Sequence, residues 1–104
     1  MEAILLLFQF VSEVREDPRI SSFHISVYVA LLYYSVENKT GPSFTVFSRD
    51  ILPLAKLSRA GTYHQIMRDL SEGGYIRYIP SHSSVLGSLV ELVMDGSKGS
   101  IPLG

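Results

Sequence analysis

The residues best suited to chemistry lie in one short segment, 58–76, with the sequence SRAGTYHQIMRDLSEGGYI. Its apolar residues recur at the spacing of one helical face, which predicts a helix over 58–73 with one buried side. The other side offers guanidinium, hydroxyl, imidazole and amide groups, which can bind phosphates and base edges. An ordinary amphipathic surface helix is the alternative interpretation. The apolar set is Tyr63, Ile66, Met67 and Leu70, and the polar set is Arg59, Thr62, His64, Gln65, Arg68, Ser71 and Glu72.

Other kinds of chemistry find little support in the sequence. The three histidines, His24, His64 and His82, do not have the spacing of metal ligands, and the chain has no cysteine. There is no Ser-His-Asp order, no paired carboxylate motif and no glycine-rich loop after a strand. The sequence therefore predicts no enzyme, no cofactor and no metal site.

Charge is distributed unevenly along the 104 residues, although the net charge is only −1. Residues 38–80 contain six bases and three acids, whereas residues 1–37 contain five acids and two bases. A local excess of positive charge indicates an anionic partner on one side of the domain.

The predicted location is the cytoplasm. Absence of cysteine fits a reducing compartment. The longest apolar run, 4–11, is too short to span a bilayer, and Glu2 stands where a signal peptide needs positive charge.

The N-terminal half is predicted to contain two helices. The first covers residues 2–15 and is apolar around most of its circumference. Three interpretations remain open for it: a homodimer interface, packing on the domain's own core, or a strand. The second helix begins at a cap on Ser21 or Ser22 and runs to about Glu37. Its predicted inner face is Ile25, Tyr28, Val29, Leu32 and Val36.

The C-terminal half alternates short elements. We expect a strand over 44–47, regular helix over 51–57, and the helix over 58–73, which ends where Gly73 or Gly74 adopts the left-handed conformation. Ile51, Leu54, Ala55 and Leu57 are expected to face inward. Two strands follow, over 75–79 and 89–93, and residues 95–104 form a flexible tail by composition.

This order of elements, together with the segment LAKLSRAGTYHQIMRDLSEGGYI, resembles the small bacterial winged-helix regulators. The family pattern is a Thr followed by an aromatic or aliphatic residue, a Leu eight residues after the Thr, and a triplet of Gly, Tyr or Leu, and Ile that enters the wing. Thr62, Tyr63, Leu70 and 74–76 match it, and the resemblance covers about residues 17–93. It implies a mainly α fold with a small β-hairpin. This would be a winged helix-turn-helix over 17–94, preceded by an extra helix in 1–16.

The resemblance also implies a function, which is sequence-specific binding of double-stranded DNA by a transcription regulator. The helix over 58–73 would lie in the major groove, and Arg77 and His82 of the wing would contact the backbone or the minor groove. The wing sequence SHSSVLG contains no Lys or Arg, so the helix would carry most of the contact. A non-catalytic protein–protein interaction module on the same scaffold is the alternative. The residues implied in DNA binding are Ser58, Arg59, Thr62, His64, Gln65, Arg68, Arg77 and His82.

Overall fold

The computed structural model describes residues 2–81, 83 and 85–94. These residues form a mainly helical domain with four helices and a three-stranded antiparallel sheet, and no helix among them could cross a membrane. The predicted tail, 95–104, and His82 lie outside them. In chain order the elements are α1 (Ala3–Val14), α2 (Ser22–Glu37), β1 (Ser43–Val46), α3 (Ser48–Ala55), α4 (Ala60–Glu72), β2 (Ile76–Ile79) and β3 (Ser88–Leu92).

The first predicted element is a helix, and one of its faces packs on the core. Phe10 is 3% exposed; its ring stacks on Tyr28 with centroids 3.7 Å apart and meets Tyr75 edge-on at 5.4 Å. The opposite face remains open, since Ile4 and Phe8 are 76% and 71% exposed. The strand interpretation of residues 2–15 is therefore wrong. The exposed face of α1 has no partner among the described residues.

The predicted cap of α2 is confirmed at Ser21. Its hydroxyl accepts a hydrogen bond from the Phe23 N–H at 3.2 Å, and its own N–H donates to His24 Nδ1 at 3.0 Å. The Ser21 side chain also accepts from the His24 backbone N–H, so Ser21 and His24 form a capping box with histidine in place of the usual Glu or Gln.

The predicted inner face of α2 is partly wrong. Ile25, Val29 and Val36 are 36%, 43% and 51% exposed. Polar bonds explain the rotation of the helix, because His24 bonds Asp69 of α4 and the Ser26 hydroxyl donates to the Ala55 carbonyl at 2.6 Å. The first bond anchors α2 to α4 and the second anchors it to the end of α3. The residues that are buried are His24, Val27, Tyr28, Ala30, Leu31, Leu32 and Ser35.

The helix α3 lies closer to the N-terminus of the chain than the predicted helix over 51–57. It begins at Ser48 rather than Ile51 and ends at Ala55, although Pro53 inside it cannot donate to the carbonyl of Arg49. Lys56 ends the helix with φ of 63°, and the Leu57 N–H returns to the Leu52 carbonyl at 3.0 Å. Ile51 and Ala55 are buried as predicted and Leu57 packs against the core, but Leu54 is 42% exposed and does not face inward.

The helix α4 buries the four predicted apolar residues, Tyr63, Ile66, Met67 and Leu70. It begins at Ala60, two residues later than expected, with Arg59 as its N-cap. After Glu72 the chain reverses at Gly74, whose φ is 83°, and the Tyr75 N–H bonds the Leu70 carbonyl at 3.0 Å. Glycine suits this position because a side chain rarely adopts a positive φ.

The sheet contains the predicted hairpin and the predicted short strand, which covers Ser43–Val46 and not 44–47. β2 and β3 pair antiparallel, and β1 pairs with the other side of β3 to give the order β1-β3-β2. Phe44 and Tyr78 both stand opposite Val90. Since side chains alternate along a strand, these residues share the face that packs against the helices.

Candidate nucleic-acid interface

The exposed face of α4 is the side opposite its four buried residues. At 100° per residue, Gly61, Gln65, Arg68 and Glu72 fall at the centre of this face, and all four are exposed. α4 packs against α2, α3 and β2, which fixes its orientation in the domain. The result is a rigid helix that presents an amide and a guanidinium in its middle and a carboxylate near its end.

The structure divides the predicted binding residues into three groups. Thr62, Gln65 and Arg68 are exposed on α4, and Ser58 and Arg59 are exposed just before it, where neither caps the helix through its side chain. His64 instead lies on the flank toward the sheet, where its Nδ1 is 3.3 Å from the Tyr78 hydroxyl. Arg77 lies on β2, and His82 falls outside the described residues. The predicted residues on α4 and before it thus form one surface, from which His64 is turned aside.

Five basic residues form no ion pair within the part of the chain that the structure describes. Four of them follow one another along α3, the turn and α4, so their charge is available to an anion. Two of these four, Arg49 and Lys56, were not among the predicted binding residues. The sequence feature that could have identified Arg49 and Lys56 is their location in the helix and the turn that precede α4. The five are Lys39, Arg49, Lys56, Arg59 and Arg68.

Arg49 is held in place by an aromatic ring. Its guanidinium carbon lies 4.1 Å from the centre of the Phe47 ring, within the range of a cation–π contact. Because Phe47 is the N-cap of α3, this contact holds a positive charge at the start of that helix.

A hydrogen-bond network connects the N-terminus of α2 to the exposed face of α4. His24 Nε2 lies 2.8 Å from Asp69 Oδ2, and the other oxygen of Asp69 accepts from Gln65 Nε2 at 2.9 Å. These bonds, first from His24 and then from Gln65, hold the pKa of Asp69 below its usual value. The carboxylate of Asp69 is therefore bonded to His24 and Gln65 of the domain itself, although Asp69 lies on the polar side of α4.

A second network ties the α1–α2 loop to the end of α4. Asp17 receives a bidentate contact from the Arg19 guanidinium at 3.0 and 2.9 Å and a hydrogen bond from the Tyr75 hydroxyl at 2.7 Å. The Arg19 guanidinium and then the Tyr75 hydroxyl hold the pKa of Asp17 well below its ordinary value. Burial and the Asp17 carboxylate raise the pKa of Tyr75.

We expect Tyr75→Phe to lower the free energy of unfolding at neutral pH by about 1.5–3 kcal/mol, as for other bonds to charged groups. A carboxyl whose folded pKa is depressed stabilises the fold above its unfolded pKa, which is near 3.8 for Asp17. The difference between parent and variant should therefore shrink as the pH falls below about 4. Urea unfolding at several pH values measures this, and Tyr33→Phe, at an exposed tyrosine of α2, is the control. A difference independent of pH would contradict the bond.

The hairpin offers less positive charge than α4. Arg77 faces Glu91 across the β2–β3 pair, with Nε 3.5 Å from the carboxylate oxygen. In the connection, Ser83 holds the turn through bonds from the Val85 and Leu86 N–H groups, and both of those apolar side chains are largely exposed. The described part of the hairpin thus presents an apolar tip and one partly neutralised cation.

Within residues 2–81, 83 and 85–94, no three His, Asp or Glu side chains are grouped so that they could hold a metal ion. Comparison with family models, curated proteins and solved structures gives no match for this chain. The function is therefore argued from the residues and their geometry.

Proposed function

We propose that this domain is a winged helix-turn-helix that binds double-stranded DNA and regulates transcription in the bacterial cytoplasm, with α4 in the major groove. The observation that carries the proposal is the segment from Ser48 to Glu72. It contains two helices joined by a short turn, with four unpaired bases and an exposed polar face on the second helix. The β2–β3 hairpin that follows α4 supports a wing, and α1 is an addition in front of this arrangement.

The charges on α4 indicate which end approaches DNA. Its start has Arg59 and Thr62 exposed, whereas its last turn ends in the exposed Glu72. Phosphate is attracted to the start, where the positive end of the helix dipole and free N–H groups add to the charge of Arg59. The first two turns would therefore lie deepest, Gln65 would reach base edges and Arg68 would meet a phosphate.

The wing contributes less in this proposal. The Arg77–Glu91 ion pair is well exposed, with 75% and 44% of the side chains accessible, so it is weak and Arg77 can turn to a phosphate. The exposed Val85 and Leu86 at the tip cannot bind phosphate. Most of the electrostatic binding then comes from α3, the turn and α4.

Titration of a labelled random duplex tests the proposal. Binding driven by phosphate contacts should be strong at about 50 mM salt and much weaker at about 200 mM, because binding releases condensed counterions. No measurable affinity at the lower salt concentration would overturn the proposal. It would instead favour the second candidate function, a protein–protein interaction module.

The second candidate is favoured by the outer face of α1. Ile4, Leu5, Phe8 and Val11 are exposed by 76%, 52%, 71% and 47%. Exposed large side chains grouped on one helix are typical of protein interfaces. A homodimer that pairs through residues 2–15 would bury this apolar face, and it is compatible with either function. The four side chains expose roughly 500 Å² per copy, so pairing would bury about 1,000 Å², the lower limit for a specific interface.

We expect the parent to sediment as a dimer at micromolar concentration and Phe8→Glu to sediment as a monomer, because a charge on this face cannot be buried without a partner. Phe23→Glu makes the same change at a phenylalanine of α2 that is 57% exposed, and it should leave the dimer intact. Sedimentation velocity measures all three proteins. A parent protein that sediments as a monomer would contradict the proposed homodimer.

A further inference from the structure

We propose that His24 and Asp69 orient the Gln65 amide on α4 so that it selects adenine in the major groove. The inference rests on the proposed function and adds to it a positioning network and a base preference. It is carried by three bonds, which join the Ser21 N–H to His24, His24 to Asp69, and Asp69 to Gln65, at 3.0, 2.8 and 2.9 Å.

The first two bonds fix where the imidazole proton lies. The Ser21 backbone N–H can only donate, so His24 Nδ1, which accepts it, is the unprotonated ring nitrogen. The ring proton is then on Nε2, which donates to Asp69 Oδ2. His24 is only 8% exposed, so the capping box of α2 holds this tautomer inside the domain.

The third bond, from Gln65 to Asp69, fixes the orientation of the Gln65 side-chain amide. An ionised carboxylate only accepts, and the lowered pKa of Asp69 keeps it ionised at neutral pH. The group facing Asp69 Oδ1 must therefore be the NH₂ of Gln65 and not its carbonyl. The outer side of the amide is left with the Oε1 acceptor and the second N–H donor. Arg68 Nη2 lies 3.5 Å from Oε1, the long limit of a hydrogen bond, so this oxygen remains available.

An acceptor beside a donor matches one base edge in the major groove. Adenine presents the N6 amino group next to the N7 acceptor, and a glutamine amide pairs with both. Guanine presents two acceptors there, so it would leave Oε1 facing another acceptor. With its orientation fixed by Asp69, Gln65 should prefer adenine over guanine by roughly 5- to 150-fold, the usual worth of a bidentate pair.

Asp69→Asn is the sharpest test because it should turn the amide over. The new Oδ1 can still accept from His24 Nε2–H, which leaves the new NH₂ facing Gln65. Gln65 would then direct its carbonyl inward and present two N–H donors outward, which suit the O6 and N7 acceptors of guanine. Selection from a random duplex pool should show an adenine for the parent and a guanine at the same position for Asp69→Asn.

Glu72→Gln is the matched control, since it removes one negative charge from the same helix and the structure gives Glu72 no side-chain bond to Gln65. It should strengthen binding to all duplexes alike and leave the base preference unchanged. Gln65→Ala should lose the preference at that position. Duplex binding in which Asp69→Asn retains the parental preference would overturn the inference and leave the proposed function intact. Absence of duplex binding by the parent would overturn both.

A measurement on the free protein separates the network from DNA binding. In the parent, one Gln65 amide proton donates to a carboxylate, so its NMR resonance should be shifted downfield and exchange slowly with water. The resonance is identified by its loss in Gln65→Ala. In Asp69→Asn and in His24→Ala both features should change, and an unchanged Gln65 resonance in Asp69→Asn would contradict the orientation.

Discussion

Phe10→Ala is expected to lower the free energy of unfolding by about 3–5 kcal/mol, the usual cost of removing a buried phenylalanine ring. The ring is 3% exposed and contacts Tyr28 face-on and Tyr75 edge-on, so its loss opens a cavity between α1, α2 and the end of α4. Neither tyrosine can fill this cavity easily, because each lies in the packed core. Chemical denaturation monitored by circular dichroism measures the loss.

Phe8→Ala is the matched control on the same helix. Its ring is 71% exposed and stacks on no aromatic ring among the described residues, so the substitution should change the stability of the monomer by less than about 0.5 kcal/mol. If α1 forms the dimer, the effect of Phe8→Ala should grow with protein concentration, whereas that of Phe10→Ala should not. Equal effects for the two variants would mean that α1 does not pack as described.

The helix that could be predicted best is α4. Tyr63, Ile66, Met67 and Leu70 form a single apolar stripe, and all other positions are polar or small, so only one face could be buried. The buried face and the glycine stop then follow from the residues themselves, whereas the helix begins two residues later than they indicate. The exposed positions, including Gln65 and Arg68, follow as the complement of the stripe.

The helix α2 could not be oriented in the same way, because it is apolar on two sides. Val27 and Leu31 lie on one side and Val29 and Val36 on the other, so hydrophobicity alone does not choose between them. The choice is made by the buried polar residue His24, whose partner, Asp69, is 45 residues away in the chain. A long-range polar pair of this kind leaves no periodic signal in a sequence.

The tie between Asp17 and Tyr75 was beyond prediction for the same reason. They lie 58 positions apart in the chain, where the sequence indicates only a break and a strand start. The pairing of β1 with β3 also depends on tertiary packing, since a four-residue strand has no signal for its partner. Local patterns thus predicted the elements, and contacts between distant residues determined how these elements face one another.

Those long-range ties also have a consequence for the candidate interface. His24 of α2 bonds Asp69 within α4, and Tyr75, three residues after the end of α4, donates to Asp17 in the α1–α2 loop. α4 is thereby fixed to the rest of the domain by polar bonds as well as by its apolar stripe. A rigid helix loses little conformational entropy on binding, which favours base readout.

Replacing all four unpaired bases of the α3–α4 segment with glutamine is expected to abolish most of the salt-dependent affinity for duplex DNA. Each phosphate contact contributes about −0.9 to the slope of log affinity against log salt, so four contacts contribute about −3.6. Between about 50 and 200 mM salt, this slope corresponds to a roughly 100-fold loss of affinity in the parent, which the variant should no longer show. The substitutions are Arg49→Gln, Lys56→Gln, Arg59→Gln and Arg68→Gln.

Arg15→Gln combined with Lys39→Gln is the control for this variant, because it removes two bases that lie outside the α3–α4 segment. Glutamine is used throughout since it keeps side-chain length and, at Lys39 and Lys56, leaves a non-glycine residue at positive φ as in the parent. If overall charge alone drove binding, the control would lower the salt slope by about half as much as the fourfold variant. If the charges act through contacts made by α3, the turn and α4, the control should bind like the parent, and fluorescence anisotropy titrations at four salt concentrations distinguish the two outcomes.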